Sequence, residues 1–238
     1  MVVLAAAFFS GVVGGAGALV TLPLLIAMGL SPQQAIAVSK FSSFGINIGA
    51  TVVFKKRALN NPRLLVFLIV LAFGISLMVP YVFSRLDEAI FQTLIGVIIL
   101  ASVPLMLIKK HGLTGRTTTP LQKAIGGGLM AIVLGLQGVF SGGVGTLQNA
   151  VLVSFFGLST LQANAVKRLV SLVLNTFIVL ALIIATDYMV YELAIAGFVA
   201  SLVGGYAGSR IAVKKGEGFA RYALVGIMLI SGIGLLVL

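Results

Sequence analysis

The stretches Leu64 to Phe83 and Ala89 to Ile108 contain no charged side chain, and no other feature constrains the fold as much. A helix needs about 20 apolar residues to cross a hydrocarbon core of about 30 Å. Both stretches are apolar on every face and do not alternate in polarity, so they read as helical spans and not as barrel strands. The rest of the chain agrees: 60% of its 238 residues are hydrophobic and 9% are charged, with a mean hydropathy of +1.19. Such a composition predicts an all-α, polytopic integral membrane protein with room for roughly eight to ten membrane segments. Soluble enzymes, DNA readers and secreted disulfide scaffolds are excluded. There is no cysteine, hence no disulfide or thiolate metal site. Met1 onward runs into apolar sequence without a basic leader, which reads as part of the fold.

The chain also contains a duplication. Gly14 to Asn47 aligns without a gap on Gly142 to Asn175, at a constant offset of 128, with 14 of 34 positions identical. Roughly three or four identities are expected from composition of this kind. The matched pairs include polar ones, Ser31/Ser159, Gln34/Gln162, Ser43/Ser171 and Asn47/Asn175, which hydrophobic bias does not produce.

Loop charge orients the two copies. The formal charge of +11 would suggest nucleic acid in a soluble protein, but here it follows the preference of Lys and Arg for cytoplasmic loops. Lys55, Lys56, Arg57 and Arg63 mark one loop as cytoplasmic, and Lys109, Lys110, Arg116 and Lys123 mark the connection between halves. Between them, Arg85, Asp87 and Glu88 suit the opposite side. In the second copy the counterpart of the first basic loop holds Asp187 and Glu192, and the next loop holds Arg210, Lys214, Lys215 and Arg221. This exchange requires an odd number of crossings per half. Breaks at Gly14-Gly15-Ala16-Gly17 and at Gly29-Leu30-Ser31-Pro32 supply the extra turn. They bracket a segment too short to span comfortably. The expectation is two inverted-topology repeats, 1–110 and 120–238, each of about four to five helical elements with broken or re-entrant Gly-rich helices, joined by a cytoplasmic loop at 111–119.

Candidate substrate-binding residues fall into two groups. Gly14, Gly15 and Gly17, with Gly142, Gly143 and Gly145, interrupt apolar sequence, where an unpaired amide costs several kcal/mol. Successive N–H groups and a helix start after the break attract anions. Close helix packing is the alternative use of such glycines. The second group is Lys40, Ser43 and Asn47 in copy one and Lys167, Arg168, Ser171 and Asn175 in copy two. Lys40 and Arg168 each lie nine residues past a loop serine, roughly 13 Å of helix, so a cation reaches the membrane interior. Buried cations in transport proteins mark ion paths. Snorkelling to a headgroup or binding a backbone carbonyl is the alternative for the basic residues, and helix-to-helix hydrogen bonding for the asparagines. Gln137, Gln148, Asn149 and Asn164 have no like partner in copy one and read as one-sided contributions to selectivity.

Other chemistries fail for want of residues. The single histidine, His111, lies in the basic connecting loop, so no metal cluster or cofactor is expected. Ser141-Gly142 resembles an intramembrane nucleophile, yet no histidine within a span serves as base. The Gly-rich nucleotide loop ending in Lys-Ser/Thr is absent. The five carboxylates lie in or beside loops, so the usual intramembrane acid for proton or sodium coupling is missing.

The Gly-Gly-x-Gly breaks, Pro23 to Leu25, the Gly-Leu-Ser element at Gly29 to Ala37 with its echo at Gly157 to Ala165, and Gly204-Gly205-Tyr206-Ala207-Gly208 resemble the sulfite exporter TauE/SafE family over nearly the whole chain. Ala16 and Val144 depart from the longer glycine run common in that family. The resemblance implies a permease for sulfite, sulfoacetate or related organosulfonates. The resulting expectation is a multi-pass transporter of the cell membrane, not an enzyme. Its partners would be a small anion and membrane lipid, with no nucleic acid and with homo-oligomerisation left open. Its site would lie near the midplane between the copies. For a cell negative inside, expelling one negative charge gains about 2.3 kcal/mol per 100 mV, which favours export without a coupling ion. A structural membrane subunit, or a carrier of another solute, is the alternative.

Overall fold

A computed structural model describes residues 17–58, 61–83, 118–140 and 144–215. They form seven helices: α1 (Gly17–Ala27), α2 (Pro32–Ala58), α3 (Pro62–Phe83), α4 (Pro120–Val139), α5 (Val144–Phe156), α6 (Thr160–Ala185) and α7 (Tyr191–Lys215). Among the described residues four segments are long and apolar enough to cross a membrane, Pro32–Phe54, Pro62–Val79, Gln162–Ile184 and Tyr191–Lys214. The expected span at Ala89 to Ile108 and the connecting loop at 111–119 lie largely or wholly outside the described residues.

The duplication is visible in local geometry. Helices α1, α2 and α3 correspond in order to α5, α6 and α7, and the joints between α1 and α2 and between α5 and α6 are built alike. Gly29 and Gly157 close the short helices with φ of +91° and +67°, the left-handed conformation that suits glycine. The next N–H folds back in both: Leu30 donates to the Leu25 carbonyl at 3.2 Å and Leu158 to that of Leu152 at 3.3 Å. Then the serine caps the long helix. The Gln34 N–H donates to Ser31 Oγ and the Ser31 N–H to Gln34 Oε1, at 3.3 and 3.1 Å. Gln162 and Ser159 repeat the exchange at 3.2 and 3.0 Å. Gly-Leu-Ser-x-x-Gln is therefore a C-terminal turn fused to a capping box, which accounts for the identity of the Gly, Ser and Gln in both copies. Around Gly29 an added Cβ would meet nothing within 4 Å, so the cost of Gly29→Ala is purely one of backbone conformation. We expect a loss of about 1 kcal/mol, seen as a lower unfolding temperature in detergent. Gly128→Ala, equally unhindered but inside α4, is expected to stabilise slightly.

Packing runs across the two copies. Helix α2 lies against α7 and α6, while α6 lies against α3. The α2–α7 contact is close because both faces are small. A Cβ on Gly45 would sit 2.5 Å from the Phe198 carbonyl oxygen, and one on Gly49 2.4 Å from that of Leu202. From α7, a Cβ on Gly197 would sit 2.2 Å from Ser42 Oγ, and one on Gly205 2.8 Å from the Ile46 carbonyl oxygen. Gly45 and Gly49 are four apart, as are Gly197, Ser201, Gly205 and Ser209, a spacing that lets helix backbones approach in lipid. Ser42 meets position 197 and Gly49 lies between Leu202 and Tyr206, so α2 and α7 run in the same direction. Phe198 of α7 also packs on Phe41 and Phe44 of α2, and the corresponding α3–α6 contact carries the ring pair Phe73 and Phe177, edge-on with centroids 4.8 Å apart.

Helices α4 and α5 form a hairpin. A Cβ on Gly126, early in α4, would lie 2.6 Å from Phe155 Cβ at the end of α5. The short helices α1 and α5 have 11 and 13 residues, about 16 and 20 Å, less than a hydrocarbon core.

Candidate functional site

Helix α2 carries Lys40, Ser43 and Asn47, and α6 carries Arg168, Ser171 and Asn175. Both sets have spacing i, i+3, i+7, which keeps them on one helix face. Lys40, Asn47, Arg168, Ser171 and Asn175 are buried, none more than 4% exposed, and Ser43 is half-buried. α2 and α6 have the most buried windows of the four candidate spans, and their inward faces are where polar side chains are tolerated in a membrane.

The two faces meet through one cross-copy contact. Arg168 Nη1 donates to Asn47 Oδ1 at 3.3 Å. Gln137, near the end of α4, joins the rest: its backbone oxygen accepts from Lys40 Nζ, and its Nε2 donates to Ser171 Oγ at 2.7 Å. Ser171 Oγ in turn donates to Gln148 Oε1, in the first turns of α5, at 3.4 Å. Asn149 Nδ2 donates to Asn164 Oδ1 at 3.0 Å, also buried.

Helix ends explain why Lys40 stands where it does. α4 stops at Val139, and the N–H of its cap residue Phe140 donates to the Leu136 carbonyl at 2.7 Å. The Gln137 carbonyl is among the last four of the helix and has no intrahelical donor. Leaving it bare in an apolar interior would cost 1–3 kcal/mol, by the usual range for an unsatisfied buried group. Lys40 removes that cost. Five residues after Val139, α5 begins at Val144, with Gly145 buried in its first turn. The start of α5, where the backbone dipole is positive, thus faces the same polar cluster as Gln137 and Ser171.

The sequence-derived candidates divide accordingly. Arg168 is joined to Asn47, and Lys40 and Ser171 are joined through Gln137, the two sets sharing the same faces of α2 and α6. For Lys40 the structure selects a backbone carbonyl over a headgroup, and places that carbonyl inside the cluster. Lys167 is buried next to Arg168 on α6, and Asn175 is buried with its Oδ1 lacking a hydrogen-bond partner among the described residues. Gly17 opens α1. Gly14, Gly15, Gly142 and Gly143 lie outside the described residues. The residue underrated by sequence reasoning is Gln137, which binds both copies' polar faces. Its position shortly before the Gly142 break was the available signal. Gln137 Oε1, Gln148 Nε2 and Asn149 Oδ1 have no hydrogen-bond partner among the described residues, so the cluster retains polar atoms for a ligand.

Comparison with known proteins bears on this arrangement. The sequence model of the sulfite exporter TauE/SafE family matches residues 1–235. The chain belongs to the TauE/SafE family. Within the breadth of that match, a probable membrane transporter protein of Haemophilus influenzae is 24% identical over 222 residues, covering 92% of this chain and 86% of that protein. The probable membrane transporter protein YfcA of Escherichia coli is 26% identical over 233 residues, covering 94% and 83%. No solved structure matches the chain. This TauE/SafE protein is therefore a membrane protein whose relatives are named as transporters.

Proposed function

We propose that this TauE/SafE protein is a secondary transporter, not an enzyme, that exports small sulfur-containing anions such as sulfite or organosulfonates across the cell membrane. The cargo would bind between the repeats 1–110 and 120–238, and alternating access would exchange their conformations. One observation carries the reading: two basic side chains, Lys40 and Arg168, are buried on facing polar stretches of α2 and α6, Arg168 bonded to Asn47 and Lys40 linked through Gln137 to Ser171 and Gln148. Lys40 and Arg168 each lie eight residues into their helix, about 12 Å from the end, close to the middle of a 30 Å core.

Helix direction supports inversion of the repeats. α2 and α7 run the same way. α6 and α7 are joined by residues 186–190 only, so as neighbouring spans they run oppositely. α2 then opposes its counterpart α6. Placing the basic ends of α2 and α7 in the cytoplasm satisfies the charge rule for both copies. In that frame α4 enters from the cytoplasm and α5 returns to it, a re-entrant hairpin that brings Gln137 and Gln148 to the cluster. The proposed roles follow: Arg168, Lys40 and Lys167 would supply positive charge, the Gly-rich sequences with Gly14, Gly15, Gly17, Gly142, Gly143 and Gly145 would supply N–H donors, and Ser43, Asn47, Ser171 and Asn175 would orient the anion.

Proteoliposomes loaded with sulfite or sulfoacetate test this. We expect saturable efflux accelerated by an inside-negative potential, because 100 mV acting on one charge is worth about 2.3 kcal/mol. Efflux no faster than from protein-free vesicles, together with movement of an alkali cation or neutral solute, would overturn it.

A further inference from the structure

Away from the buried network, the structure contains a cavity of about 660 Å³ lined by Asn61, Arg63, Leu64, Phe67, Lys123 and Phe156, among others. It opens where α3 and α4 begin and α5 ends, so it draws on both sequence repeats. Arg63 is the second residue of α3 and Lys123 the fourth of α4. Neither helix has an acidic residue in its first turn. Cations at helix N-termini oppose the backbone dipole, which there favours negative charge. Among the described residues no carboxylate lines the cavity. Two helix starts and two basic side chains thus converge on one space without a counter-charge among the described residues of its walls.

Apart from Asn61, the remaining described wall is apolar. Phe67 bridges the helices, its ring lying 3.4 Å from where a Gly127 Cβ would be. Beyond it the surface continues as exposed Val66 and Val70 on α3 and exposed Leu121 and Ile125 on α4. An inorganic anion would leave that apolar wall unused. A molecule with an anionic head and an acyl tail uses both halves. In addition, Lys55, Lys56 and Arg57 end α2 just before α3 begins, which places the cavity at a membrane surface rich in basic residues.

We infer that an anionic phospholipid of the cytoplasmic leaflet occupies this cavity, its phosphate between Arg63 and Lys123 and an acyl chain along Phe67 toward Val70. The lipid joins the start of α3 in the first repeat to the α4–α5 hairpin of the second. Basic pockets between membrane helices bind such headgroups, with each basic residue contributing about one kcal/mol near a surface. This inference is independent of which solute is carried.

The test uses the purified full chain in neutral detergent. Dioleoyl-phosphatidylglycerol is expected to raise the unfolding temperature above that seen with dioleoyl-phosphatidylcholine, because a ligand of the native state stabilises it. Arg63→Gln with Lys123→Gln is expected to weaken the phosphatidylglycerol effect about thirtyfold in lipid concentration, leaving the phosphatidylcholine value unchanged. Arg63→Lys with Lys123→Arg keeps the charge and is expected to keep the effect, which guards against misfolding of the first pair. Equal responses to the two lipids, a phosphatidylglycerol effect that survives the glutamines, or an equal shift with soluble glycerol phosphate would overturn the proposal.

Discussion

Arg168→Gln is expected to lower anion flux about a hundredfold while leaving the unfolding temperature unchanged or raised. A hydrogen bond to a charged group is worth up to about 3 kcal/mol, and losing one from a bound anion corresponds to about two orders of magnitude. Stability moves the other way because a buried guanidinium costs solvation that its contacts recover only in part. Gln keeps a donor for Asn47 Oδ1, which now accepts from Arg168 at 3.3 Å, and removes the charge. Lys40→Met provides the contrast. It strips the donor from the Gln137 carbonyl, so flux and unfolding temperature should fall together. Flux measured in proteoliposomes beside thermal unfolding of the same preparations separates the two. Unchanged flux in Arg168→Gln would move the binding site elsewhere and favour a structural role for the buried cations.

Gly49→Ala is expected to lower the unfolding temperature by about 10 °C, from a loss of about 3 kcal/mol. The added methyl would lie 2.4 Å from the Leu202 carbonyl oxygen and 2.9 Å from the Tyr206 nitrogen. Both are backbone atoms of α7, so no side-chain rotation relieves the clash and the helices must separate. Gly74→Ala on α3 adds the same methyl where nothing lies within 4 Å, and should not destabilise. Equal behaviour of the two variants in a detergent melt would contradict the close α2–α7 contact.

Much of the architecture could be read in the chain. The capping boxes at Ser31 and Ser159 and the left-handed turns at Gly29 and Gly157 stand where the Gly-Leu-Ser echo put them, since these are local interactions among residues three or four apart. Arg168, Ser171 and Asn47 were legible as site candidates because a polar residue amid apolar sequence needs a partner. The identity of each partner was not legible. Asn47 and Asn175 are matched in sequence, yet Arg168 meets the asparagine of the other copy, because the central helices face each other across the duplication. Gln137 escaped emphasis for a related reason: its value lies in a carbonyl exposed by the end of α4, a property of where the helix stops. Likewise, Arg63 and Lys123 looked like ordinary cytoplasmic loop charges, and only folding brings them to one cavity.

Taken alone, the order of residues determined that the chain is helical, lies in a membrane and repeats itself, because hydrophobic runs, caps and turns depend on neighbours along the chain. The tertiary structure decided which faces meet. Contacts between helices more than a hundred residues apart, such as α2 with α6 and α7, depend on shape: glycine and serine let α2 approach α7 closely, and the α3–α6 contact carries an aromatic ring pair. That fit set the matched cations of separate helices on facing buried surfaces, each with a partner from the other copy.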